Sequence, residues 1–207
     1  MKTMFRQITL LQAIAVILSM SFCSVAYAQD RAFKYGVDIH AGLGIDELSH
    51  YSVGADIICA WQANNYVQLG AGAGYLRTDA LVSMGMGGEY RTEYKGFDGI
   101  RLFVREKSSL SDGRVAPFVW FDAGGTIGLK RSGARSGYQA TQLFFEPGVG
   151  IDYKLEGGNR ICLSLGYLSQ HTSYSRYTIA KDGKSMLDNY PMSDFIGQLV
   201  LHVGFMF

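Results

Sequence analysis

The 207-residue sequence contains little proline, little cysteine and no large excess of either charge. With only three prolines, few segments are barred from hydrogen-bonded strands. Lysine and arginine number 19 against 18 aspartates and glutamates, and the net charge of +1 excludes the strongly basic character of a nucleic-acid-binding protein. After residue 28 no apolar run is long enough for a transmembrane helix.

The first 28 residues have the features of a secretory signal peptide. Lys2 precedes the apolar run Leu10–Leu18, and Ala26-Tyr-Ala28 forms a small-x-small cleavage site. The alternative, an uncleaved anchor helix, requires a longer apolar run than this one. We therefore predict a signal peptide over residues 1–28 and one exported domain over residues 29–207.

Alternation of apolar and polar residues with period two runs through the exported part and predicts about eight strands. The alternating segments are Lys34–Ile45, Tyr51–Gln62, Val67–Leu76, Phe97–Arg105, Val115–Lys130, Gln142–Leu155, Arg160–Gln170 and Gln198–Phe207. Short turns (Gln62–Asn65, Lys107–Arg114, Glu156–Asn159) alternate with longer polar stretches (Arg77–Lys95, Arg131–Ala140, His171–Ser193). Short turns on one rim and longer loops on the other are typical of outer-membrane barrels.

The polar faces of these strands are rich in glycine, as in Gly70, Gly72 and Gly74. A water-facing surface has no reason to prefer residues that weaken strands, but a narrow barrel interior does, because side chains from opposite walls compete for volume. The apolar face of a soluble barrel points inward, whereas that of a membrane barrel points at lipid. The glycine pattern therefore favours the membrane barrel.

Aromatic residues on the apolar faces are placed near the strand ends. One rim is predicted to carry Tyr35, Trp61, Tyr153, Phe205 and Phe207, and the other Tyr51, Tyr75, Phe97, Tyr167 and Phe195. Aromatic belts one bilayer apart are typical of lipid interfaces. In hydrocarbon every backbone amide must be paired, so the sheet must close. We predict an all-β, closed antiparallel up-and-down transmembrane barrel of about eight strands.

Two stretches resemble known outer-membrane proteins. The alternating Val203, Phe205 and Phe207 resemble the C-terminal assembly signal of these proteins. Phe144–Asn159 resembles small eight-stranded barrels of the Bacteroidetes type, with OmpA-like or OmpX-like architecture. The resemblance implies a location in the bacterial outer membrane, insertion by the outer-membrane assembly machinery, and contact with outer-membrane lipid or lipopolysaccharide.

The inward faces of the predicted barrel collect charged residues of both signs. The members are Asp38, His40, Asp56, Arg101, Arg105, Asp122, Glu146, Asp152, Lys154, Arg160 and His202, joined by Trp120. We expect a salt-bridge network that plugs the lumen, because buried charges need partners and eight strands leave little free space. A narrow ion channel is an alternative, although a ring of one charge, as a selective pore uses, is absent from the sequence pattern.

An enzymatic alternative rests on His171 and Ser173, which share one parity at the outer end of the seventh strand. A histidine beside a serine can activate a nucleophile. The His-x-Ser pattern is similar to that of outer-membrane lipid A 3-O-deacylases, although those proteins have Asn where this chain has Tyr174. Asp182 and Asp188 are candidates for the acid that orients the histidine.

The sequence points to no cofactor and no metal, because its four histidines form no short-spaced pair. The predicted outer loops are rich in tyrosine and arginine, which suit a surface ligand or lipopolysaccharide phosphates. These residues are Tyr90, Arg91, Tyr94, Tyr138, Tyr174, Arg176, Tyr177 and Tyr190. The primary prediction is a plugged barrel with a structural or surface-interaction role, and the lipid hydrolase and the ion channel are its alternatives.

Overall fold

The computed structural model describes residues 33–45, 50–79, 81–84, 90–94, 96–129, 142–179 and 186–207. Ten strands appear in these ranges. They are β1 (Phe33–Gly44), β2 (Tyr51–Gln62), β3 (Val67–Thr78), β4 (Leu81–Met84), β5 (Tyr90–Tyr94), β6 (Asp98–Ser109), β7 (Val115–Leu129), β8 (Gln142–Lys154), β9 (Arg160–Ile179) and β10 (Met186–Met206). The predicted signal peptide lies outside the described residues. In the described part, helices of the length and apolarity needed to cross a bilayer are absent.

Eight of the ten strands form one closed antiparallel barrel. Strands β1, β2, β3, β6, β7, β8, β9 and β10 pair in that order. The ring closes where β10 pairs with β1, from Gly36 opposite Met206 to Gly44 opposite Gln198. Backbone bonds between Tyr35 and Phe207, of 3.1 and 2.9 Å, extend this seam to Phe207. The predicted eight-stranded antiparallel barrel is confirmed.

The barrel is inside out relative to a soluble protein. Ile39 is 67% exposed and Val149 59% exposed on the outer surface, whereas Asp122 and Glu146 are fully buried. Burying carboxylates while exposing aliphatic chains is unfavourable in water but is favoured when the outer surface faces acyl chains. The predicted orientation of the two strand faces is therefore the one observed.

Glycines on the inner wall make room for large lumen side chains. A Cβ on Gly72 would lie 2.2 Å from the ring of Phe103, and a Cβ on Gly148 would lie 2.5 Å from the ring of Trp120. A further glycine pair, Gly157 and Gly158, adopts positive φ angles of 88° and 90° in the β8–β9 turn. This left-handed conformation suits glycine because it has no Cβ.

One predicted belt residue lies elsewhere. Phe97 is fully buried, so it does not belong to the outer aromatic belt. It precedes β6, and its backbone carbonyl accepts a 2.9 Å bond from the amide of Thr78. Phe97 shares the inward parity of Arg101 and Phe103, so its prediction as a belt residue was wrong because it departed from the alternation of its own strand. Tyr51, Tyr75, Tyr167 and Phe195 are exposed.

Two hairpins extend beyond the ring at the end that we call the outer end. Strands β4 and β5 form a hairpin within the stretch predicted as a polar loop, and β5 pairs with β9 from Tyr90–Thr178 to Glu93–Ser175. Strands β9 and β10 continue to pair as far as Ile179 and Met186. These parts of β4, β5, β9 and β10 form one four-stranded outer sheet.

The hydrogen-bonded ladder between β8 and β9 is interrupted near Pro147. The pairing that begins at Phe144–Gln170 stops after Phe145–Ser169 and resumes at Gly148–Gly166. Proline has no backbone N–H to donate, which accounts for a gap at this position. On the other side of β8, Pro147 remains opposite Phe121 of β7.

Candidate functional site

The centre of the lumen holds a cluster of paired charges. We define the central cluster as Asp38, His40, Asp56, Arg101, Arg105, Asp122, Glu146 and His202. All are buried except Arg105, which is 14% exposed at its side chain. The cluster draws on six strands, β1, β2, β6, β7, β8 and β10. The period-two pattern turns these side chains inward.

Arg101 of β6 lies beside side chains from three other strands at one side of the central cluster. Its guanidinium donates to Glu146 at 2.8 Å and lies 3.1 Å from Nε2 of His40. A carboxylate oxygen of Asp56 lies 3.8 Å from Nη1 of Arg101, the nitrogen that faces His40, and 3.4 Å from Nδ1 of His40. Neither Asp56 oxygen accepts a hydrogen bond from the described residues, so this carboxylate is stabilised mainly by electrostatic attraction.

Arg105 forms the best-aligned pair of the central cluster. Its Nε and Nη2 atoms donate to the two oxygens of Asp122, both at 2.7 Å. Its remaining terminal nitrogen donates to Asp38 at 3.3 Å. A bidentate arginine–carboxylate pair fixes geometry as well as charge, because the planar fork matches two oxygens at once.

His202 bridges two carboxylates. Its Nδ1 lies 3.2 Å from Asp38, and its Nε2 lies 2.7 Å from Glu146. Both ring nitrogens can donate only in the imidazolium form, so this geometry fits a charged histidine. Arg101, Arg105 and a charged His202 then supply three positive charges against four carboxylates.

Aromatic rings fill the space around the two arginines. The guanidinium carbon of Arg101 lies 4.4 Å from the centre of the Phe144 ring, and that of Arg105 lies 4.8 Å from Trp120. Trp120 also packs edge-on against His202, at 5.0 Å. The rings exclude water from the ion pairs and contribute cation–π attraction.

A second ion-pair group lies nearer the short turns, at the inner end. Asp152 accepts from Lys107 at 2.7 Å and from Arg160 at 3.3 Å. The Lys107 ammonium lies 3.6 Å from the thiol of Cys162, a free cysteine. Lys154 is exposed and lies outside both groups. Sequence reasoning missed Lys107, which was assigned to a turn although it shares the inward parity of Arg101 and Arg105.

An apolar layer covers the outer end of the central cluster, and sequence reasoning did not predict it. It consists of Leu76, Phe97, Phe144, Leu168, Ile196 and Val200, each at most 4% exposed. Polar side chains lie at the same end, where Gln170 donates to Gln142 at 2.7 Å and Gln142 donates to Thr172 at 3.2 Å. The outer half of the lumen is therefore filled as well.

A small cavity lies between the central cluster and the inner-end group. One cavity of about 20 Å³ touches Asp38, Arg105, Lys107 and Cys162. A volume of this size holds about one water molecule. In the described residues, groups of three or more metal-ligating side chains in binding geometry are absent. The arrangement is suited to sealing the barrel and stiffening its wall.

The two residues of the enzymatic hypothesis lie on the outer surface. His171 is half-buried and Ser173 exposed, and Nε2 of His171 lies 2.8 Å from Oγ of Ser193. Ser193 lies on β10 directly opposite Ser173 on β9. Asp182, and the side chain of Asp188, lie outside the described residues, as do the side chains of the predicted tyrosine- and arginine-rich loops.

No protein-family model matches this chain, and no curated protein matches it. The fold does match solved barrels. Neisserial surface protein A superposes with a TM-score of 0.53 at 9% identity, over 86% of this chain and 98% of that one. The outer membrane protein OprG from Pseudomonas aeruginosa superposes with a TM-score of 0.56 at 9% identity, over 86% and 97%.

At this identity the likeness establishes the fold alone. The fold is that of small eight-stranded outer-membrane barrels, which agrees with the outer-membrane location and barrel architecture predicted from the sequence. The two neighbours are covered almost completely, so the shared barrel accounts for nearly their whole length.

Proposed function

We propose that this protein is a sealed outer-membrane barrel that anchors the outer sheet at the cell surface, where the sheet contacts lipid or a surface partner. The observation that supports the proposal is the set of buried and paired side chains inside the barrel. The central cluster, the apolar layer and the inner-end group fill successive levels of one narrow interior. A filled interior leaves the outer sheet as the part of the molecule available for interactions.

The buried charges support a structural role over a conducting one. An ion crossing the lumen would have to separate contacts such as Arg101–Glu146 at 2.8 Å and Arg105–Asp122 at 2.7 Å. Breaking a buried pair costs several kcal/mol because it leaves an uncompensated charge. Permeation also needs sites that an ion can leave easily, and tightly paired side chains do not provide them.

The test is electrical. The folded protein is reconstituted into a planar bilayer, and resistance of the same preparation to protease shows that the barrel has inserted. We expect no unitary current steps. Discrete, reproducible steps from inserted protein would contradict the sealed lumen and favour the narrow ion channel.

The partners remain proposals. Outer-membrane lipid and lipopolysaccharide fit the exposed aliphatic surface and its aromatic rims. The outer-membrane assembly machinery fits the C-terminal pattern of Val203, Phe205 and Phe207. A relation to barrels of the Bacteroidetes type, with OmpA-like or OmpX-like character, is supported by the Phe144–Asn159 resemblance alone.

A further inference from the structure

A hydroxyl and an imidazole meet on the outer surface, away from the lumen. His171 on β9 and Ser193 on β10 occupy neighbouring strands, and Oγ of Ser193 lies 2.8 Å from Nε2 of His171. Both residues have the outward parity of Tyr167 on β9 and Leu199 on β10. They lie above these residues at the outer end, where headgroups and ester bonds of the outer leaflet lie if the barrel spans the membrane as proposed.

This contact meets the first requirement of nucleophilic catalysis by serine, which is a base within reach of the hydroxyl. A serine hydroxyl is a weak nucleophile until a base within hydrogen-bond reach removes its proton. An oxygen–nitrogen distance of 2.8 Å meets that requirement without any movement. Ser173, the serine that the sequence pattern singled out, lies directly opposite Ser193 across the two strands.

Aromatic packing holds the imidazole in place. The His171 ring packs edge-on against Phe195, with centroids 5.4 Å apart and an interplanar angle of 71°. Phe195 stacks on Phe145 at 6.3 Å, and Phe145 stacks on Phe121 at 6.4 Å. This ladder crosses β7, β8 and β10 and presents a continuous apolar surface beside the hydroxyl.

The ladder leads into an outer groove that suits an acyl chain. The groove has a volume of about 410 Å³ and is lined mainly by apolar residues, including Phe121, Pro147, Tyr167 and Leu199, together with Glu106. Pro147, which has a short side chain, lies on the outward face between Phe121 and Tyr167. Tyr167 lies four residues below His171 on β9, roughly 13 Å along a strand.

We propose that Ser193 and His171 are the nucleophile and the base of an ester hydrolase that removes acyl chains from lipids of the outer leaflet. Oγ of Ser193 attacks the ester carbonyl carbon while its proton passes to Nε2 of His171. The bond to the lipid alcohol breaks, and the alcohol takes the proton from His171. Water then attacks the acyl-serine, passes a proton to His171, and releases the fatty acid as Ser193 regains its proton.

The first test is covalent labelling by a fluorophosphonate probe, which reacts with activated serines. The full-length protein is purified in detergent and compared with Ser193→Ala, His171→Ala and the matched control Ser173→Ala. We expect wild type and Ser173→Ala to be labelled, and the other two variants to lose labelling on the order of 10²-fold. Labelling of Ser193→Ala at the wild-type level, or none of wild type, would overturn the proposal.

The second test measures fatty-acid release from vesicles. One set contains phospholipid alone and the other contains phospholipid with lipopolysaccharide, so the two arms separate the two sources of acyl ester. Release that depends on Ser193 in either arm supports the proposal and names the substrate, and absence of release in both arms refutes it. A gel comparison of heated and unheated samples checks that each variant is folded. The hydrolase proposal rests on the proposed membrane barrel, and this control distinguishes a folded barrel without activity from a protein that is not a barrel.

Discussion

Arg101 is the residue on which the central cluster most depends, because its guanidinium contacts Glu146 and neighbours Asp56 and His40. Arg101→Ala leaves two buried carboxylates without this cation. We expect the free energy of unfolding in lipid vesicles to fall by about 3–5 kcal/mol. Urea titration followed by gel mobility measures the change.

Arg114→Ala is the matched control, because Arg114 is exposed and its guanidinium carbon lies 5.2 Å from the centre of the Tyr153 ring. Its loss is expected to cost no more than about 1 kcal/mol. Equal costs for the two arginines would show that the lumen pairs add nothing to stability. In the double variant Arg101→Ala/Glu146→Ala we expect part of the loss to be recovered, as coupled neighbours are not additive.

At the scale of single residues, the alternation of inward and outward positions predicted most of the buried lumen residues. The positions that it missed have identifiable reasons. Lys107 was missed because the following Ser-Ser-Leu-Ser-Asp-Gly suggested that a turn had already begun. Lys154 has the inward parity but lies where the strand leaves the barrel, so it is exposed. Ser193 could not be found, because its position opposite Ser173 depends on the register between β9 and β10, which the alternation alone does not fix.

The outer sheet is the element that the sequence did not predict. Within the bilayer the two faces of a strand meet lipid and lumen, so polarity alternates, whereas beyond it both faces meet water and the alternation fades. Arg77–Lys95 and His171–Ser193 were therefore interpreted as loops, although they contain β4, β5 and the outer parts of β9 and β10. The short turns of the inner end were located to within three residues, since β6 continues to Ser109 and the predicted turn began at Lys107.

The β4–β5 hairpin is expected to be dispensable for the barrel. Thr78 and Phe97 already bond across the base of this connection, at 2.9 Å, so a short glycine-containing turn can replace residues 80–95. Within the described part of the hairpin, the residues that pair with a ring strand are Tyr90–Glu93, which pair with β9. We expect heated and unheated samples of the shortened protein still to differ in gel mobility. In intact cells, we expect it to lose the chemical cross-links that the full-length protein forms with its proposed surface partner.

A proline substitution in a ring strand is the comparison for the shortened hairpin. Leu163 pairs with Ile151 on one side and Val203 on the other. Leu163→Pro is expected to abolish the mobility difference, because proline cannot donate to a ladder. If the shortened hairpin abolished it too, the outer sheet would be part of the folding unit rather than an addition to it.

For the whole molecule, the decisive property is which surface faces lipid. Ile39, near the middle of β1, and Leu110, in the β6–β7 turn, are exposed to nearly the same extent, at 67% and 68%. In water, arginine at either position would have a similar small effect. In a bilayer, Ile39→Arg is expected to cost about 2–4 kcal/mol and Leu110→Arg about 0–1 kcal/mol, because the penalty depends on depth.

Chemical unfolding in phospholipid vesicles, followed by tryptophan fluorescence, measures both costs. Equal values would place Ile39 in water and reverse the orientation of the barrel. The sequence was sufficient to predict this orientation, because glycines opposite large inward side chains and aromatics at strand ends are required by a narrow lipid-embedded barrel. It was not sufficient to predict the apolar layer, since Val200 and Leu168 interrupt the polar parity of their strands.

The seam between β1 and β10 joins residues that are far apart in the chain, such as Gly36 and Met206. Until β10 has been synthesised and delivered, the other strands can form only an open ribbon with two unpaired edges, which favours aggregation. Such distant pairing also makes spontaneous folding slow. If the chain is exported as its first 28 residues predict, we expect it to cross the periplasm unfolded and protected by chaperones, with completion of the cylinder coinciding with entry into the bilayer.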